Sequence, residues 1–269
     1  ASVALVPLGR GELGQGGPVS RRGRTYGRRR RTLTSATPGA PGTRPARIAW
    51  GLPDALLWWM GGYLGAILAS FPLYASQGGT DIDTKLVFGV ILPAQQLTVV
   101  LAVVYVTRLK GQKSLAADFG LVIRLRDAKA LVVGATLEIV LTLALLPILQ
   151  IDPDAQNQQL LSDLKDHRDT LTIVLFVMGA VVFAPIVEEL LFRGVLLRAL
   201  LRKMAPATAV FLSGVIFALV HYVGDPNTLP FLPALTALGA VLAVVALRSG
   251  NLSTSIFIHA GFNLTTTIL

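Results

Sequence analysis

Glu188 and Glu189 lie side by side in an otherwise apolar stretch, and Arg193 follows four residues after the second. Carboxylates are costly in hydrocarbon, so such a pair marks a functional site by default. On a helix, residues four apart share a face, so Glu189 and Arg193 can pair as ions. Glu188 is about 100° further round and is left available. Two more pairs repeat this spacing: Phe217 with His221, and His259 with Asn263.

A glutamate, two histidines and an asparagine are the parts needed to activate water and hold an oxyanion. The carboxylate takes the water's proton, an imidazole orients the water, and His and Asn donors stabilise the tetrahedral intermediate. Glu188, His221 and His259 are also the ligand types of a divalent metal such as zinc, with one position left to water. Spacing alone does not choose between the two. The bland alternative is a set of interhelical hydrogen bonds. It serves as well for His221 or Asn263 alone, and much less well for two carboxylates, two imidazoles and an amide together. Glu138 has no partner pattern and reads as structural, and His167 reads as solvated in an acidic outer loop.

The elements that must position these groups are transmembrane helices. The chain of 269 residues is 53% hydrophobic and 14% charged, with a mean hydropathy of +0.63. Its apolar residues fall in blocks of about spanning length, at 53–75, 86–107, 130–150, 170–203, 207–223, 230–247 and 251–269. The expectation is an all-α, polytopic transmembrane bundle of about seven spanning helices. Block 170–203 would be about 51 Å long against a hydrocarbon core of about 30 Å, so it must tilt, kink or emerge. Pro185, which lacks an N–H, supplies a kink site one turn before Glu188. Counted from Pro206, His221 is about 22 Å along its helix, nearer the outer face than Glu188. No internal repeat is evident.

Residues 1–48 read differently. Residues 1–49 hold ten Arg and one acid, Glu12, so the whole net charge of +9 sits in this tail. Rich in Gly, Pro, Ser and Thr as well, the segment cannot bury enough apolar surface to fold, and disorder is expected. Beside a membrane domain at 49–269, its natural partners are anionic lipid headgroups, and no nucleic acid is expected. The basic tail, the basic loop 108–129 and Arg198, Arg202 and Lys203 fall on one side under strict alternation, and the acidic segments on the other. The positive-inside rule then places the N-terminus in the cytoplasm and the multi-pass domain in the cell membrane. An amphipathic surface helix is expected within Ser114–Arg126. There is no cysteine, which excludes a thiol nucleophile and thiolate metal sites. Ala1–Leu8 is too short for a cleaved signal core.

The sequence Glu188-Glu189-Leu190-Leu191-Phe192-Arg193 fits EExxxR, Phe217–His221 fits FxxxH, and His259–Asn263 fits HxxxN. In this order on successive helices they resemble the three signatures of the CPBP family. That family groups CAAX prenyl proteases of the Ras-converting-enzyme type with bacteriocin-processing and immunity (Abi) proteins. The resemblance covers about residues 170–269. It implies an intramembrane endopeptidase in which Glu188 activates water, His221 helps hold it, and His259 and Asn263 are oxyanion donors or further polar ligands. Glu189 and Arg193 would be the supporting ion pair. The family is usually called a metalloprotease, yet its architecture also resembles a metal-free glutamate protease. The absence of HExxH favours metal-free activation. Members often carry a further helix after the third motif, whereas six residues follow Asn263 here.

The implied partner is a peptide or membrane-protein substrate, with membership of a membrane-protein complex as a further expectation. The alternative is a non-catalytic CPBP protein acting as a regulatory, immunity or assembly partner. A proton-coupled transporter fits less well, because repeats are absent. Tyr222–Asp225 lacks the first glycine of GxGD, and Ser213-Gly214 resembles a rhomboid nucleophile only faintly.

Overall fold

The computed structural model describes residues 50–79, 82–149 and 169–268. The tail at 1–48, with its predicted disorder and headgroup binding, lies outside the described residues, as does His167. All the described residues belong to one compact unit, Pro45–Leu269.

Among the described residues seven long helices form, one for each apolar block: α1 (Leu52–Ser76), α2 (Thr84–Lys110), α3 (Ala130–Leu149), α4 (Thr170–Leu201), α5 (Pro206–Gly224), α6 (Leu232–Ser249) and α7 (Ser253–Ile268). No strand occurs among the described residues. Six helices, or helices extended by a short 3₁₀ turn, are long and apolar enough to cross a membrane. The seventh, α7, spans 16 residues. Lipid offers the backbone no hydrogen-bond partners, which is why every spanning element is helical.

Local chemistry starts and stops these helices where the sequence changes character. The Asp54 carboxylate accepts from the Gly51 N–H at 2.8 Å at the start of α1, beside Pro53, which needs no acceptor there. Asp83 caps α2 by accepting from the Lys85 N–H at 2.8 Å. Asp169 caps α4, and the hydrogen bond from the Thr172 hydroxyl holds its carboxyl below the usual carboxylate range. The turn between α4 and α5 is short, and Pro206 opens α5 at a first-turn position.

The helices approach closely where side chains are smallest. A Cβ on Gly134 of α3 would collide with the backbone of Ile258 and Phe262 on α7, and one on Gly261 would collide with Leu131. The pair α5 and α6 meets in the same way, through Gly214 and Gly239. Without a hydrophobic force between helices in lipid, such contacts are a principal source of association. Helices α3 and α7 run parallel. Near their starts the Arg124 N–H donates to Ser253 Oγ at 2.9 Å, and further along Glu138 meets Thr266. Parallel packing of the third and seventh helices is what strict alternation requires.

The segment between α2 and α3 departs from expectation. In place of an amphipathic helix over Ser114–Arg126, there is one helical turn, Leu115–Phe119, then extended chain and a 3₁₀ turn at Leu125–Lys129. Gly120 ends the first turn in a left-handed conformation at φ 74°. Arg198 of α4 then holds the carbonyls of Asp118 and Phe119 at 2.5 and 2.9 Å, and Phe119 is buried against Trp50. The apolar residues of this loop therefore anchor it into the end of the bundle. Substituting Gly261 by Val is expected to separate α3 from α7, lowering the midpoint of thermal unfolding in detergent and destabilising the protein by about 1–3 kcal/mol or more.

Candidate active site

The site is built on α4, whose 32 residues are not uniformly α-helical. Wider π-helical turns occupy Met178–Phe183 and Leu190–Leu196, and the α-helical stretch Ala184–Glu189 between them ends on the two glutamates. Such turns cluster at functional sites.

Glu189 points into the bundle, where it and Arg193 have no exposed side-chain surface and pair at 2.6 Å. The second terminal nitrogen of Arg193 donates to the Gly239 carbonyl of α6 at 3.0 Å. The guanidinium also lies 4.7 Å from the ring centre of Phe217 on α5. Cation–π attraction grows when both groups are desolvated, as here. Nδ1 of His259 on α7 lies 3.3 Å from Glu189 Oε1, so one ion pair touches four helices.

Glu188, about 100° round the helix, faces a different space. Its Oε2 lies 3.6 Å from Nε2 of His259 and 3.8 Å from Nε2 of His221. The side chains of Glu188 and His221 are 28% and 29% exposed, whereas His259 is 2% exposed. The site therefore opens on the Glu188–His221 side and is closed behind His259. The depth expected for His221, near the outer face, does not keep it from Glu188, because α4 and α5 share one short turn. Glu188 stands 13 residues before the end of α4 and His221 stands 15 residues after the start of α5. Those runs are about 20 and about 22 Å along each helix, nearly level.

The hydrogen-bond partners settle which ring nitrogens carry hydrogen in the neutral imidazoles. Nδ1 of His221 lies 2.8 Å from the Phe217 carbonyl, which only accepts, so this nitrogen donates. Nδ1 of His259 likewise donates to the Glu189 carboxylate. Both Nε2 atoms then present lone pairs toward Glu188 Oε2, which is itself buried without a hydrogen-bond partner. Three acceptors converge, too far apart to bond directly. Only a group that brings hydrogens or positive charge satisfies all three.

A water molecule supplies hydrogens to two of them, and a proton on one imidazole Nε2 completes the need. A metal ion would meet it through Glu188, His221 and His259, the expected ligand set. Ligand atoms on one tetrahedral zinc stand about 3.3 Å apart, given bonds of about 2.0–2.1 Å. The separations here are wider, and among the described residues no group of three or more His, Asp or Glu side chains is arranged to hold an ion.

Asn263 follows His259 by one turn on α7. Its Nδ2 donates to the Ala180 carbonyl of α4 at 2.8 Å. Phe217 is more central than the sequence indicated. Its ring meets Phe192 at 5.1 Å, His221 at 4.5 Å and His259 at 5.5 Å, so it packs both imidazoles in place. Its place four residues before His221 was the available signal. Nothing in the sequence marked the Gly239 carbonyl. Glu138 hydrogen-bonds Thr142 at 3.3 Å, in keeping with a structural role.

The fold is all-helical, with six helices long and apolar enough to cross a membrane, and carboxylates and imidazoles converge inside it. Residues 170–265 match the family described as Type II CAAX prenyl endopeptidase Rce1-like. The matched segment runs through the helices that carry all three motifs, in agreement with the resemblance to the CPBP and CAAX protease family. Over that segment the chain is similar to a family of CAAX-protease-like endopeptidases. Comparison with curated proteins and with solved structures gave no match.

Replacing Arg193 by Met would strand the Glu189 charge among four helices. A destabilisation of about 3–5 kcal/mol is expected. Adding Glu189→Gln to the same chain should restore part of it, as read by unfolding midpoints in detergent.

Proposed function

We propose that the protein hydrolyses a peptide bond of a membrane-associated substrate by water activation at Glu188, with His221 and His259 as its partners. The observation that carries this reading is the convergence of two imidazole Nε2 atoms on one unpartnered carboxylate oxygen. A water there donates to Glu188 and is oriented by His221. Glu188 takes its proton as the oxygen attacks the substrate carbonyl. The developing oxyanion is met by the Nε2–H of His259, whose ring takes that proton from solvent before substrate binds and keeps it through the reaction. The C–N bond then breaks, and the proton held on Glu188 passes to the leaving amine. Glu189 fixes the ring of His259 through Nδ1, as a carboxylate orients a catalytic histidine. The same three side chains are those that would hold a divalent ion, which would supply Lewis-acid activation of the water.

The exposed side of Glu188 and His221 is where an extended peptide would enter. The charge pattern supports an N-terminus on the cytoplasmic side of the cell membrane, with the basic tail at 1–48 against anionic headgroups and residues 49–269 as the membrane domain.

The purified full chain, given a set of fluorogenic peptides in detergent, tests this. Glu188→Gln should lower kcat by about 10²- to 10⁴-fold, with His221→Ala and His259→Ala also strongly impaired. Unfolding midpoints should stay close to that of the parent for Glu188→Gln. Cleavage should persist after treatment with a metal chelator. A fully active Glu188→Gln protein would overturn the assignment of Glu188 as the base, and a full chain that cleaves no peptide would leave a non-catalytic, partner-binding role.

A further inference from the structure

Beyond the glutamates on the same helix, Arg193 lines a cavity of about 110 Å³ that the proposed chemistry does not use. Its walls come from Arg193, Leu197 and Arg198 of α4 and from Ala246, Gly250 and Leu252, at the end of α6 and in the turn to α7. Among the described residues no acidic side chain lines it. One water needs roughly 10–15 Å³ of such space, so a group of several non-hydrogen atoms fits.

Both arginines bring an unmet demand to this space. Arg193 gives its terminal nitrogens to Glu189 and the Gly239 carbonyl, and its Nε is buried with no hydrogen-bond partner. The residue is 1% exposed, so bulk water does not serve that N–H. Arg198 is half-buried and donates to the backbone carbonyls of Asp118 and Phe119, which satisfy hydrogens but carry no net charge. The Asp118 carboxylate accepts from the Gln112 N–H instead, and among the described residues no carboxylate stands within ion-pair distance of Arg198. The helix ends do not set the sign here. The start of α7 brings about half a positive charge to the cavity and the end of α6 about half a negative one. Glu189 matches Arg193, so the unmatched charge is that of Arg198, and a half-buried charge without a counter-ion is costly.

A phosphate group answers both demands. It supplies negative charge to Arg198 and several acceptor oxygens, which guanidinium N–H groups bind in a planar fork. The surroundings agree: Arg202 and Lys203 follow at the end of α4, and the Arg124 N–H bonds Ser253 at the start of α7. Cations gathered at one end of a membrane bundle attract anionic headgroups. We propose that this cavity is a phosphate-binding site, in which Arg198 and the Nε–H of Arg193 hold a phosphate group of an anionic lipid or of a free ion. The site is separate from the water-activating side chains and does not depend on the peptidase reading. Through Arg193 its occupant touches the ion pair that orients His259.

The test uses the full chain in detergent. Inorganic phosphate is titrated at constant ionic strength, with chloride as the control, while the unfolding midpoint is followed. Native mass spectrometry then counts the lipid retained from micelles containing phosphatidylglycerol or phosphatidylcholine. Two variants are compared with the parent: Ala246→Leu, which fills the cavity and leaves both guanidiniums, and Arg198→Gln, which removes the unmatched charge. The parent should show a saturable rise in midpoint with phosphate, selective retention of phosphatidylglycerol, or both. Each variant should weaken that binding by about 10- to 100-fold. Retention of phosphatidylglycerol without a response to free phosphate names the lipid as the source, the reverse names the free ion, and a response to both assigns the site to the phosphate group itself. If one variant fails to fold, the other decides alone. Binding as tight in a folded variant as in the parent would put the anion elsewhere on the basic surface and overturn the proposal. A parent that shows neither response would overturn it too. If the chain cleaves no peptide, these readouts stand, and only the peptidase reading fails.

Discussion

The Glu189–Arg193 ion pair is the interaction on which the rest of the bundle depends. Two charges with no exposed side-chain surface are tolerable only if each is matched, and the matching partners here come from four helices. Arg193 is held by Glu189 from its own helix, by the Gly239 carbonyl of α6 and by the face of Phe217 on α5. Glu189 in turn receives His259 from α7. The pair therefore selects one arrangement of α4 to α7 among the many that would bury equal apolar surface. Dispersion between apolar helices in lipid is poorly directional, whereas a forked guanidinium and a buried carboxylate are highly so.

Backbone geometry is subordinate to that constraint. The Gly239 carbonyl can reach Arg193 because α6 lies close to α5, where Gly239 and Gly214 leave no room for a side chain. His259 can reach both glutamates because α7 sits against α3 at Gly261 and Gly134. In each case the small residue is remote from the chemistry and the polar contact follows from the approach it permits. The same logic explains the asymmetry of the two adjacent carboxylates. Glu189 is engaged in holding helices together, so Glu188, one residue away, faces the opening with no cation directly paired to it.

Much of this was legible in the sequence, because the relevant signals are periodic. The apolar blocks predicted about seven helices, and seven long ones form among the described residues, six of them long and apolar enough to span. The i,i+4 spacing predicted the ion pair and put Glu188 on a different face of the helix from Glu189. Levelling His221 with Glu188 needed the hairpin between α4 and α5 rather than a count from one helix end, because only a shared turn fixes two helices to a common origin. The helix expected at Ser114–Arg126 shortened to one turn, since Phe119 is buried among tryptophans and Arg198 takes the backbone carbonyls that a longer helix would have used. The Gly239 carbonyl and the π turns were illegible for a different reason. Backbone acceptors carry no side-chain signature, and a π turn differs from an α turn by a single residue of phase.

A guanidinium carries five donors in one rigid plane, and a helix bundle has to find partners for all of them. On a soluble surface the remainder goes to water. Inside a membrane domain an unmet N–H persists as a demand on whatever group comes next to it. Arg193 turns its two terminal nitrogens to Glu189 and Gly239, because that fork ties α4 to α6 and sets the glutamates. Its Nε is left buried and unpartnered, in a residue that lines the same cavity as Arg198. Arg198 is placed by a separate requirement, since its bonds to the carbonyls of Asp118 and Phe119 dock the loop between α2 and α3. Each arginine is thus accounted for by a structural task that involves no anion. Carried out five residues apart on one helix, the two tasks leave one hydrogen and one charge unmatched beside a single cavity, and one phosphate group is the simplest partner for both.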